Sequence, residues 1–207
     1  MLSAHAVQVF FAASVLLALV PGPDNVFVLL HAAVHGARAG LWVVLGLCSG
    51  LLFHTAAVAL GLAALLAASS AAFTVLKGLG AAYLLWLAWL SWRAPAGMGT
   101  GESMPALGVR QTYLRGVLMN ISNPKVALFF LAFLPQFVEP ASGPVAMQIL
   151  LLGGVFMLAT LLTFGAIALL AGRFGQLLQA SPKAQVALNR LASVVFAGLA
   201  FRLILGS

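Results

Sequence analysis

The sequence predicts an all-α integral membrane protein with six transmembrane helices, in two inverted three-helix repeats whose first helices, helices 1 and 4, are broken. Hydrophobic residues make up 63% of the chain and charged residues only 6%. A soluble domain carries about 25% charged residues, so lipid must be the solvent for most of this chain. A helix needs about 20 apolar residues to cross the hydrocarbon core, and six such segments fit the chain.

Six apolar blocks separated by polar segments supply these helices. Each block is interpreted as helical, because a helix satisfies its own backbone hydrogen bonds in lipid. The blocks cover approximately residues 4–34, 40–67, 73–92, 112–138, 145–170 and 186–205. Residues 1–207 then form one transporter domain, with repeat one at 1–92, a cytoplasmic loop at 93–111 and repeat two at 112–207.

The net charge of +7 is explained by membrane topology, and no nucleic-acid partner is expected. The ten Lys and Arg residues form no run. Positive residues collect in cytoplasmic loops. With six spans, the loops that contain Arg38, Arg93 and Lys183 face the cytoplasm. Both termini are then predicted to lie outside the cell's inner (cytoplasmic) membrane.

Proline interrupts two of the blocks at matching places. The first block contains Pro21-Gly22-Pro23-Asp24 and the fourth contains Asn123-Pro124-Lys125. Proline removes a backbone donor and suits the first position of a new helix. We therefore predict half-helices that begin near Pro23 and Pro124, with Pro21 and Gly22 in the first break. Paired interruptions in the two halves of a membrane protein indicate a transport site near the bilayer middle.

Two charged residues accompany these breaks. Asp24 is the only acidic residue in any apolar block, and Lys125 holds the matching place in repeat two. A charge near the bilayer centre costs about 3 kcal/mol, so it needs a partner or a purpose. One hypothesis is a structural ion pair between Asp24 and Lys125. The other is that Asp24 carries a coupling proton or binds a substrate ammonium, while the half-helix N-termini favour an anionic group.

Amide side chains and a histidine complete the candidate site. Asn25, Asn120 and Asn123 surround the breaks, where an amide can cap freed backbone or contact a polar substrate. His54 can relay protons, because imidazole titrates near neutrality, or it can bond two helices together. The predicted substrate-binding residues are Asp24, Asn25, Asn120, Asn123 and Lys125, and those predicted for proton coupling are Asp24 and His54.

Several other functions are disfavoured. No metal or other cofactor is expected, because a divalent cation site usually needs several oxygen ligands and Asp24 is a single carboxylate. Cys48 is the only cysteine, so neither an intrachain disulfide nor a thiol pair can form. The sequence contains no HExxH or GxSxG motif of an enzyme. A membrane scaffold, a channel, an exporter of another solute or cation, and a homodimer all stay open.

Both proline motifs resemble the signature of the LysE/RhtB family of amino-acid exporters. The segments concerned are Pro21-Gly22-Pro23-Asp24-Asn25, Asn123-Pro124-Lys125 and Leu134-Pro135-Gln136-Phe137-Val138. The resemblance implies secondary active export of small amino acids from the cytoplasm by proton antiport, with alternating access to a midplane site. The motifs look more like the neutral, homoserine and threonine branch. The direction of transport and the substrate class come from this resemblance alone.

Overall fold

The computed structural model describes residues 2–20, 22–68, 70–93, 107–180 and 182–205. Pro21, which the sequence places in the first break, and most of the loop at 93–111 lie outside the described residues. Within the described ranges every regular element is helical. This agrees with the predicted all-α class.

Eight α-helices occur in these ranges. They are α1 (Ala4–Leu19), α2 (Pro23–His35), α3 (Ala37–Ala68), α4 (Ser70–Arg93), α5 (Val109–Ile121), α6 (Pro124–Leu128), α7 (Val145–Ala180) and α8 (Pro182–Leu205). A π-helical turn, Phe129–Phe133, continues α6, and two 3₁₀ turns follow at Leu134–Phe137 and Pro140–Ser142. Gly36 alone joins α2 to α3, with a φ of +88° that glycine adopts at no steric cost.

Two helices are by themselves long and apolar enough to cross a membrane, through the segments Ala37–Gly61 and Val145–Ala171. Two bent pairs meet the same criterion when each pair is counted as one span. α8 contributes a shorter apolar stretch, Asn189–Phe201. The described residues thus give two to four spans by length and composition, and the arrangement of six helices in inverted repeats stays a prediction.

The two bent pairs lie at the proline motifs. α1 and α2 are bent by 63°, and α5 and the segment Pro124–Phe137 are bent by 48°. Pro23 and Pro124 each occupy the first turn of the second helix, where a missing N–H breaks no helical hydrogen bond. Val20 and Gly22 have extended backbones that redirect the chain.

The first bend lies where two buried apolar clusters approach each other. One cluster joins α1 and the π-helical turn to α3, α4, α7 and α8, and includes Leu17 and Phe156. The other joins α2 to the first half of α3 and to α7, and includes Ala18 and Phe164. Because Leu17 and Ala18 are consecutive residues at the end of α1, the polar groups of the break lie between two apolar regions.

Glycines allow the backbones of α3 and α5 to pack closely against each other. A Cβ atom at Gly46 would lie 2.2 Å from the carbonyl oxygen of Tyr113, and one at Gly116 would lie 2.5 Å from that of Val43. Small residues at such positions allow the backbones of membrane helices to approach closely. The Gly46-x-x-x-Gly50 pair of α3 therefore lies on the face that packs against α5.

Candidate functional site

Asp24 connects the two breaks. It lies in the first turn of α2 and is 1% exposed. Its Oδ2 accepts a hydrogen bond of 2.7 Å from Asn123 Nδ2, and Asn123 is the N-cap of α6. Its Oδ1 is buried and has no hydrogen-bond partner. One carboxylate oxygen thus holds the two half-helices together, and the other has no hydrogen-bond partner among the residues that the structure describes.

Lys125 does not form the structural ion pair with Asp24 that was one of our two hypotheses. Its Nζ donates instead to the carbonyl oxygens of Leu17, at 3.3 Å, and Val20, at 3.2 Å. In a continuous helix the Leu17 carbonyl would accept from residue 21, but that residue is a proline and has no N–H. The ammonium therefore caps the C-terminal end of α1, where the helix dipole favours a cation.

Gly22 provides the space for this ammonium. A Cβ atom at Gly22 would lie 3.1 Å from Lys125 Nζ, closer than a normal contact. The backbone of Gly22 is extended, a conformation that every residue adopts. The close approach of Lys125, and not the φ angle of the backbone, therefore explains why residue 22 is a glycine.

The asparagines at the breaks also satisfy backbone groups. Asn25 Nδ2 donates to the carbonyl oxygen of Ala18 at the end of α1. Asn123 Oδ1 accepts from the backbone N–H of Lys125 at 3.0 Å, as an N-cap does. The Oδ1 of Asn25 is buried without a partner. Capping, the alternative that the sequence left open, is therefore the observed role of both residues, and substrate contact stays a prediction.

His54 bonds α3 to α5. Its Nε2 lies 3.1 Å from the carbonyl oxygen of Asn120, so this nitrogen must carry the hydrogen. This is the interhelical hydrogen bond that the sequence offered as an alternative to proton transfer, and the coupling role of His54 stays a prediction. Asn120 is 2% exposed, and its Oδ1 is buried without a partner.

A small cavity lies at the breaks. Its polar lining residues are Asp24, Asn120, Lys125 and Thr160. The apolar lining residues are Leu17, Ala18, Val126, Phe156 and Phe164. The cavity measures about 10 Å³, which is room for about one water molecule. This space is too small for a whole amino acid.

Three of the five predicted binding residues line this cavity, namely Asp24, Asn120 and Lys125. The other two, Asn25 and Asn123, belong to the surrounding hydrogen-bond network. Thr160, a hydroxyl residue inside the long apolar block at 145–170, also lines the cavity and is not among the predicted residues. A polar residue in such a block is a weak signal, because only packing shows which face of the helix it occupies.

The comparison with protein families identifies the chain. A family model described as LysE type translocator matches residues 15–207. The chain belongs to the LysE type translocator family. Membership confirms the resemblance drawn from the two proline motifs and identifies the chain as a multi-pass membrane translocator.

Relatives within this family are similar along most of the chain. An uncharacterized membrane protein of Vibrio cholerae is 32% identical over 195 residues, 94% of each chain. The homoserine/homoserine lactone efflux protein of Salmonella typhimurium is 32% identical over 187 residues, 90% of each chain. The leucine efflux protein of an Enterobacter species is 28% identical over 189 residues, 89% of this chain and 88% of the relative. No solved structure matches the chain.

Proposed function

We propose that this chain exports small neutral amino acids from the cytoplasm across the inner membrane by proton antiport. The observation that carries the proposal is Asp24, whose carboxylate is buried between two helix breaks with one oxygen held by Asn123 and the other unpartnered. Relatives that are named for efflux of homoserine and of leucine support an amino acid as the substrate. Both of these amino acids have uncharged side chains.

The lining of the cavity suits the two charged ends of an amino acid. Asp24 supplies a carboxylate for the ammonium, and Lys125 supplies a cation for the carboxylate. The Phe156 and Phe164 rings and Val126 offer apolar surface to a neutral side chain. Binding at Lys125 would draw its Nζ away from the two carbonyl oxygens of α1, which couples substrate recognition to the geometry of the first break.

Proton coupling follows from competition at Asp24. A protonated carboxyl group is neutral and attracts an ammonium weakly, whereas the carboxylate attracts it strongly. The substrate and the proton therefore bind the same group in alternation. Such exclusive binding exchanges one for the other across the membrane, and the inward proton gradient then drives the amino acid outward.

The size and position of the cavity support alternating access as the mechanism of transport. A space of about 10 Å³ must open before a whole amino acid can enter. Apolar clusters lie around it, and one of them contains the rings of Phe10, Phe129, Phe133 and Phe156, with centroids 4.7 to 6.5 Å apart. In the proposed mechanism, these contacts separate on one side of the membrane at a time.

The helix contacts support the inverted repeat on which this mechanism depends. α1 and α2 pack against α7, and α5 packs against α3. A rotation that exchanges the two repeats would convert the contact of α1 and α2 with α7 into the contact of α5 with α3. The contacts of α3 with α7 and of α4 with α8 are each unchanged by the exchange, whereas the contact of α2 with α3 has no counterpart of similar size in the second half. The matched contacts support a two-fold axis between the repeats, and the contact of α2 with α3 departs from that symmetry.

Purified protein in proteoliposomes tests the proposal. Wild-type protein should move radiolabelled L-homoserine or L-leucine against a concentration gradient when a pH gradient is imposed, and should not do so without one. Asp24→Asn should reduce gradient-driven transport at least about tenfold, because a charge-assisted hydrogen bond to the substrate is lost. Glu139→Gln is the matched control, since Glu139 is exposed and does not line the cavity.

Two results would contradict the proposal. Wild-type protein that moves neither amino acid under any imposed gradient would exclude this substrate class. Full gradient-driven transport by Asp24→Asn would remove Asp24 from the coupling mechanism. Detergent-solubilised variants should elute as a single species in gel filtration, which separates a loss of transport from a loss of folding.

A further inference from the structure

Thr160 has a buried hydroxyl group that forms no hydrogen bond. It is 2% exposed, and its Oγ1 has no hydrogen-bond partner within the described parts of the chain. A threonine in a membrane helix usually satisfies itself by donating to the carbonyl oxygen one turn earlier. Thr55 of α3 does so, with a hydrogen bond of 2.8 Å to the Leu51 carbonyl oxygen. Thr160 does not, and its residue lines the cavity at the breaks.

Three residues that line the cavity each have a buried side-chain oxygen atom that accepts no hydrogen bond from the described residues. The atoms are Asp24 Oδ1, Asn120 Oδ1 and Thr160 Oγ1, and each is buried and unpartnered. They come from three different helices, α2, α5 and α7. The carboxylate and the amide oxygen only accept hydrogen bonds, and the hydroxyl group accepts as well as donates. The lining residues therefore carry a surplus of acceptors, because the ammonium of Lys125, which also lines the cavity, donates to the carbonyl oxygens of Leu17 and Val20.

A primary ammonium group matches this surplus. It carries three N–H donors on one nitrogen, and that nitrogen is close to the size of a water oxygen. The cavity, at about 10 Å³, has room for one group of that size. The positive charge of the group is complementary to the carboxylate of Asp24.

We propose that Asp24, Asn120 and Thr160 together bind the ammonium of the substrate, with Thr160 as the third acceptor, so that only amino acids with an unsubstituted amino group are transported well. This inference rests on the proposed function and completes its site. Each N-methyl group replaces one donor with an apolar group. A methylated substrate thus leaves a buried acceptor unsatisfied and adds volume in a confined space, which a hydrogen-bonding site rejects strongly.

Counterflow in proteoliposomes tests this inference without any pH gradient. Vesicles loaded with L-leucine or L-homoserine accumulate the radiolabelled form of the same compound, and the free acids and their N-methyl and N,N-dimethyl derivatives are added as competitors. In wild-type protein, the N-methyl compound should compete at least about tenfold more weakly than the parent amino acid. The N,N-dimethyl compound should compete more weakly still.

Substitutions at Thr160 identify the third acceptor. Thr160→Val keeps the shape and removes the hydroxyl, so the apparent affinity for the parent amino acid should fall about tenfold or more, while that for the N-methyl compound falls less. Thr160→Ser should retain the wild-type preference. Thr163→Val is the matched control, because Thr163 is also buried on α7 but does not line the cavity. It should leave both affinities unchanged.

The outcomes separate this inference from the function on which it rests. Wild-type protein that exchanges neither amino acid would defeat both. Exchange with equal competition by methylated and parent compounds would overturn the ammonium site alone. An unchanged preference in Thr160→Val, or in Thr160→Ala if the valine variant does not fold, would overturn the role of Thr160 while export stands.

Discussion

Polar side chains at the first break donate hydrogen bonds to backbone carbonyl oxygens that lack a helical donor because α1 ends there. Pro21 and Pro23 have no N–H, so carbonyl oxygens near the end of α1 lose their helical donors. Lys125 and Asn25 donate to the carbonyl oxygens of this turn. In hydrocarbon an unsatisfied backbone group costs several kcal/mol, because no water replaces the lost donor. These residues therefore stabilise the bend itself, whatever they also contribute to substrate binding.

The contributions of Asp24 and Lys125 to the stability of the protein should be coupled, even though no ion pair joins the two side chains. Both charged side chains line the same small cavity, so the loss of either charge leaves the other buried without an opposite charge nearby. We expect Lys125→Met to lower stability by about 3–5 kcal/mol, and we expect less destabilisation when Asp24→Asn is added. Thermal unfolding in detergent, followed by intrinsic tryptophan fluorescence, measures all four members of the double-mutant cycle.

Lys183→Met is the control for this cycle, since Lys183 is exposed at the start of α8. It should unfold at the wild-type temperature, alone or with Asp24→Asn. Strict additivity of Lys125→Met and Asp24→Asn would show that the two charges do not interact, and would remove the electrostatic reason for placing both at one site.

At the scale of helices, the contact between α3 and α5 positions Asn120. A Cβ atom at Gly50 would lie 2.7 Å from the Cβ and 2.8 Å from the Oδ1 of Asn120. Only glycine allows the two backbones to come this close. The hydrogen bond from His54 to the Asn120 carbonyl fixes the same turn of α5. The glycines of α3 thus allow Asn120, which lines the cavity, to pack closely against the neighbouring helix.

A glycine substitution measures this contact. Gly46→Ala should destabilise the protein by about 2 kcal/mol or more, because its Cβ would lie 2.2 Å from the backbone oxygen of Tyr113, which cannot rotate away. Gly61→Ala, on the same helix α3, has no atom within 4 Å of the added Cβ. It should be neutral or slightly stabilising, since alanine has the higher helix propensity.

Thermal unfolding midpoints of the two variants give the comparison. Equal midpoints would mean that α3 and α5 do not pack as closely as described. Transport by Gly46→Ala should fall together with its stability, because separation of the helices moves Asn120 away from the cavity.

The helix that follows the second break changes its hydrogen bonding within a few residues. α6 is regular from Pro124 to Leu128, π-helical from Phe129 to Phe133 and 3₁₀ from Leu134 to Phe137. Pro135 cannot donate to the carbonyl of an earlier turn, which explains why the α-helical pattern does not continue through it. Local departures of this kind occur often at functional sites in helices. Here the departure directs three phenylalanine rings, at positions 129, 130 and 133, into the buried apolar cluster.

At the scale of the whole molecule, the outer faces of the helices match lipid. Large apolar side chains are exposed along the long helices, with Leu52 at 55%, Leu60 at 78% and Leu169 at 64%. In water such a surface would cause aggregation, whereas in a bilayer it is the surface in contact with lipid chains. This distribution agrees with the multi-pass translocator that family membership identifies.

Cysteine labelling tests the predicted topology. In a Cys48→Ala background, Val109→Cys reports the loop before α5 and Ala141→Cys reports the turn before α7, and both positions are exposed. With six spans and basic loops inside, an impermeant maleimide added to whole cells should label position 141 and not position 109. Permeabilised cells should be labelled at both. Labelling of both positions in intact cells would contradict the six-span arrangement.

The sequence alone determined the membrane class, the two breaks and the charged residues beside them. Composition identifies lipid as the solvent, and the absence of an N–H group in proline is a property of the residue itself. Such local chemistry does not depend on how the helices pack. For the same reason the sequence by itself locates Asp24, Asn120 and Lys125 near the breaks.

Only the tertiary structure decided which groups meet. Asp24 pairs with Asn123, 99 residues away, and Lys125 pairs with the Leu17 carbonyl, 108 residues away. Thr160 reaches the cavity because one face of α7 packs against the breaks, and no local pattern specifies that face. Pairings over such separations are set by packing of whole helices, and they selected the cap of α1 over the ion pair that charge alone suggested.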